Sequence, residues 1–176
     1  GALAAAYNAL CWGLGGPEPL TERRKTAVLA VSAAVDAGDL DLQLGGLLWR
    51  TLAELEAGEV ASARLSAGQF AAHVQRAPIP YHAWYAHLHA GMFALTEGDL
   101  AAAASHAAKI EPVGTGQEMM VRINLECIRA EIQMAAGRGL SLAAARSMEE
   151  TLERTMGLGW MVRSHRVALE FGPGPE

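Results

Sequence analysis

Histidine is the residue type in this chain whose placement most invites a chemical reading. Of six histidines, His82, His87 and His89 crowd one short stretch, with His73 and His106 on the segments to either side. A single helix presents a metal site through ligands at i,i+3 or i,i+4 on one face. None of the three central histidines has that spacing. His82 and His89 do share a helical face, but lie about 10 Å apart along the axis at about 1.5 Å per residue. The pattern therefore predicts packing or surface histidines, and no metal site.

Other reactive residue types are equally scattered. Cys11 and Cys127 stand alone, form no CxxC and are expected to be buried free thiols. Ser62, Ser66, Ser105, Ser141, Ser147 and Ser164 fall at helix starts or in small-residue helices, without an elbow motif. Glu149, Glu150 and Glu153 read as an ordinary charged helix face. Gly13-Leu14-Gly15-Gly16 follows no strand and lacks the lysine of a phosphate loop. No catalytic residue, cofactor site or metal ligand is expected.

Binding residues are read from faces. Arg122, Arg129 and Gln133 lie on one side of a helix, opposite its apolar stripe, and Gln43, Arg50 and Glu54 do the same on another. Such faces are either solvated or line a groove. Tyr81, Trp84 and Tyr85 either line a pocket or seal the joint after Pro78-Ile79-Pro80. The groove or partner-binding candidates are Arg50, Glu54, Tyr85, His89, Arg122, Arg129 and Gln133.

What positions these residues is a recurring phrase. Leu55-Glu56-Ala57-Gly58-Glu59-Val60 returns as Leu95-Thr96-Glu97-Gly98-Asp99-Leu100, and in blurred form around Gly137. The three glycines stand 40 and then 39 residues apart. Each copy ends an apolar helix with Gly, follows it with a polar residue and starts a small-residue helix. A second set of stops falls at Gly38-Asp39, Ala77–Pro80, Pro112–Thr115 and Gly157–Gly159. Asp39, Asp99 and Thr115 are suited to N-capping, and Thr115 with Glu118 fits a capping box. Between stops the apolar residues recur at helical spacing, as at Val121, Leu125, Ile128 and Ile132. No segment alternates like a strand.

The expected fold is all-α: nine helices over about 2–13, 20–37, 40–57, 60–76, 80–97, 100–110, 116–136, 141–156 and 158–170, forming one helical-repeat domain over 1–176. Repetition at this period predicts an α-solenoid of antiparallel hairpins. A net charge of −5 with interleaved signs leaves no basic stripe for nucleic acid. No apolar run is long enough for a membrane span. The opening without Met and the Gly172-Pro173-Gly174-Pro175 ending suggest a piece of a longer, cytoplasmic chain.

Gly58…Ala63, Gly98-Asp99…Ala103 and the small residue Gly91 resemble the tetratricopeptide repeat, although the period is near 40 and not about 34. Arg76–Tyr85 followed by Ala94-Leu95-Thr96-Glu97-Gly98-Asp99 resembles the helical-repeat region of large actinobacterial signal-transduction NTPases and LuxR- or SARP-type transcriptional regulators. That resemblance implies a noncatalytic segment serving transcriptional regulation or signal transduction. Its partner would be a protein or another domain of the same chain, with self-association through the repeat ends also expected. A small-molecule effector sensor, with its ligand near Tyr85, His89 and Arg129, is the alternative. An enzyme of unrecognised type is the remaining one.

Overall fold

The computed structural model describes residues 1–14, 19–77, 79–110, 118–138 and 142–156. Those residues form eight helices: α1 (Ala2–Gly13), α2 (Leu20–Asp36), α3 (Leu40–Glu56), α4 (Val60–Arg76), α5 (Pro80–Thr96), α6 (Leu100–Ile110), α7 (Glu118–Ala135) and α8 (Leu142–Met156). There is no strand among them, so the all-α expectation holds. The ninth expected helix, over 158–170, and the Thr115 capping box lie outside the described residues. No described helix is long and apolar enough to cross a membrane.

Four successive helices are cut to a common measure. From α2 to α5 each is 17 residues long, and successive starts fall at Leu20, Leu40, Val60, Pro80 and Leu100. The true building block is therefore a helix plus turn of half the 40-residue period. Gly38, Gly58, Gly98 and Gly137 all carry positive φ, between 64° and 77°. At each, the glycine N–H donates three residues back and the next N–H donates five back: Gly38 to Val35 and Asp39 to Ala34, Gly98 to Leu95 and Asp99 to Ala94, with the same pairs at Gly58 and Gly137. This is the Schellman C-cap, whose left-handed residue is ordinarily Gly. Gly38, set by the sequence reading among the turns between hairpins, has the same geometry as the hairpin turns. Asp39 and Asp99 then cap the following helix, accepting from Leu42 N–H at 3.1 Å and Ala102 N–H at 2.9 Å.

The chain divides into two compact units, Gly1–His89 and Ala90–Glu176, with the boundary inside α5. In the first unit, α2 and α3 run antiparallel, as do α3 and α4. Arg23 and Arg24 of α2 reach Glu56, the last residue of α3, and Glu59, just ahead of α4, and Glu54 meets Ser66 across the turn between α3 and α4. Odd-numbered helices also touch. Asn8 of α1 donates to the Leu42 carbonyl of α3 at 3.1 Å, Trp12 packs edge-on against Trp49 at 4.9 Å, and His82 of α5 meets Asp41 of α3. The core of this unit is Ala27, Ala30, Ala34, Leu44, Leu47, Ala53, Ala63, Phe70 and Trp84.

The second unit packs α6 on α7 and α7 on α8. Its core is Ala103, Ala107, Ile110, Val121, Ile123, Leu125, Ile128, Ala130 and Ala145. Gly91 is a point of close helix contact: a Cβ there would stand 2.5 Å from Ile128 Cδ1 and 3.5 Å from His106 Cβ.

Candidate functional site

The polar groups of the first unit converge where the N-terminal half of α2 lies beside the C-terminal half of α3. Antiparallel pairing brings Thr21, Arg24, Lys25 and Val28, spaced as one helical face, against Arg50 and Glu54. These six line a concavity of about 270 Å³. Glu54 is 6% exposed. One of its oxygens accepts from Arg50 Nε at 2.8 Å and the other from Ser66 Oγ at 2.7 Å. A carboxylate this buried is tolerated because it is ion-paired and hydrogen-bonded. Arg24 Nη2 pairs with Glu59. The neighbouring Arg23, itself buried, spans the Leu14 carbonyl and Glu56.

Tyr85 and His89 lie in the core. Tyr85 stacks on the adjoining Trp84 at 3.6 Å. His82 and His89 do share a face: both meet Phe70 edge-on, at 5.8 Å and 5.3 Å. His82 Nε2 lies 2.8 Å from Asp41 Oδ1, and burial lowers its pKa against the opposing pull of Asp41. His89 is completely enclosed, neither ring nitrogen has a hydrogen-bond partner, and burial drives its pKa down to about 4.

In the second unit, Arg122 and Gln133 are exposed, and Arg129 pairs with Glu126 at 3.3 Å on the same helix. The structure thus brings Arg50 and Glu54 together, puts Tyr85 and His89 in the packing, and sets Arg122, Arg129 and Gln133 along α7. Cys11 is buried with its thiol pushed up to about 11 by that burial against Arg23. Cys127 is half-buried and also raised, by burial and then by Glu131 and Glu126. Both are free and held protonated, the opposite of an activated nucleophile. Among the described residues no three His, Cys, Asp or Glu converge on a metal position.

No family model, curated protein or solved structure matches the chain.

Thr21, Arg24, Lys25 and Val28 escaped the sequence reading. Their signal was present: reflection of α2 onto α3 about the Gly38 turn puts the start of α2 opposite Arg50 and Glu54.

Proposed function

We propose that this chain is an α-solenoid of tetratricopeptide-like hairpins and a noncatalytic interaction segment of a larger cytoplasmic regulator of transcription or signalling. It binds a protein, or another domain of its own chain, through its repeat surface. The observation that carries this reading is the stacking pattern of the first unit. Each helix packs on its antiparallel neighbour, and α1, α3 and α5 touch in series through Asn8, Trp12 and Asp41. Stacked hairpins of one measured length present a regular surface and bury a core only through their neighbours.

Two features agree with it. The four identical turns repeat the length of the block, and α1 carries no charged residue yet leaves Leu3, Leu10 and Trp12 about half exposed or more, at 61%, 46% and 53%. Apolar exposure of that kind on a helix marks a contact surface. Photo-crosslinking residues placed at Leu3 and Leu10 in the full-length gene product test the reading. Crosslinks to one defined protein or domain, lost together with regulatory output when Leu3 and Leu10 become Gln, are expected. Unchanged output in the doubly substituted protein, with no crosslink, refutes it.

A further inference from the structure

Each charge around the α2–α3 concavity can be assigned. Arg24 is taken by Glu59. Arg50 engages Glu54 through Nε alone. Glu54 has both oxygens occupied, by Arg50 and Ser66. What remains is the Lys25 ammonium, the two terminal guanidinium nitrogens of Arg50 and the Thr21 hydroxyl, none of which has a partner among the described residues. Three positive groups stand against two negative ones, Glu54 and Glu59, so the wall carries one uncompensated positive charge. The rest of that wall is aliphatic: Val28 and the methylene stems of Arg24, Lys25 and Arg50.

We propose that this concavity is a binding site for a small carboxylate with a short aliphatic body. The planar edge of a guanidinium whose Nε is already engaged offers parallel N–H donors to a carboxylate. Lys25 supplies the neutralising charge and Thr21 a hydroxyl donor. Val28 and the side-chain stems cover the hydrocarbon part. The volume, about 270 Å³, lies just below the range of about 300–1,000 Å³ usual for small-molecule sites, which suits a ligand of a few carbons and not a nucleotide. Occupancy would tie α2 to α3 at the open end of their hairpin. The assignment is independent of the interaction reading, which survives its failure.

The test is an amide-resolved NMR titration of the whole chain at fixed ionic strength with three probes: isobutyrate, isobutyramide and inorganic phosphate. Isobutyrate is expected to give saturable shifts confined to Thr21–Val28 and Arg50–Glu54. Isobutyramide should bind at least about tenfold more weakly, the loss expected when a charge-assisted hydrogen bond is removed. Lys25→Ala, at an exposed position, leaves the fold intact and should weaken isobutyrate severalfold. Arg50→Gln should weaken it further, and Lys109→Ala on α6 should do nothing. Equal binding of the amide, or an unchanged Lys25→Ala, makes the concavity a neutral hollow and overturns the proposal. Phosphate binding as tightly as isobutyrate overturns the aliphatic part. Absence of any saturable shift overturns it altogether.

Discussion

The two units use the same device, a glycine where helices approach, but build the wall opposite it from different material. In the first unit a Cβ on Gly46 would stand 2.9 Å from both Val31 Cγ2 and the Val31 backbone nitrogen, and 3.2 Å from the Ala30 carbonyl carbon. In the second, the Cβ of a substituted Gly91 would meet only the tip of Ile128 at 2.5 Å, with nothing else nearer than 3.5 Å. A side-chain tip rotates aside; a helix backbone moves only if the whole helix moves. One contact therefore fixes the spacing of α2 and α3, whereas the other can yield.

The sharpest test of that contrast is substitution by the same residue at both places. Gly46→Ala should lower stability by about 1–3 kcal/mol in urea denaturation, as overpacking does, despite the gain of up to about 1 kcal/mol from removing a helical glycine. Gly91→Ala should stay within about 1 kcal/mol of the parent. Gly91→Leu, too large for Ile128 to accommodate, should fall by about 1–3 kcal/mol. Equal losses for the two alanine variants would erase the distinction between backbone and side-chain walls.

The next effect belongs to the first unit through His89. Its imidazole is held neutral to about pH 4 in the fold, whereas an unfolded histidine takes up its proton near pH 6.5. The unfolded state therefore binds more protons between those values. Stability is intact above about pH 6.5 and drains away as the pH falls, by about 2 kcal/mol at pH 5. His89→Leu should remove this dependence, and should also gain stability at neutral pH because it deletes two unpaired buried nitrogens. A melting temperature equally pH-sensitive in His89→Leu would move the effect elsewhere, His82 being the first candidate.

The smallest effect should be the same in both units. Asp39→Ala and Asp99→Ala each delete one N-cap bond of similar length, and each should cost about 1 kcal/mol. A much larger loss at Asp39 than at Asp99 would break the equivalence of the two caps.

The eight described helices and their four Gly turns were legible because punctuation here is local: a Gly in the left-handed conformation, a polar residue after it and apolar residues at helical spacing each act over a few residues. Even the blurred third copy, Gly137-Arg138, folds into the same turn as the others. What was not legible depends on register between helices. Nothing local to Gly45-Gly46 announces that Asn8 and Val31 lie against them. Glu54 looks like a surface acid until Ser66 meets it from α4. His89 looks amphipathic until Phe70 closes over it. The α2–α3 concavity belongs to the same class: its six residues come together only once two separate helical faces are set side by side.

The fixed measure of helix plus turn bears on how such a gene can change by unequal crossing-over. Within the first unit, copying one block restores the Gly turn but reverses the direction of every later helix, so odd and even helices exchange roles. Copying two blocks leaves each later helix of the first unit running in its former direction. In-frame gains and losses that preserve the fold should thus come in steps of two blocks, the same 40-residue interval that separates Gly58 from Gly98.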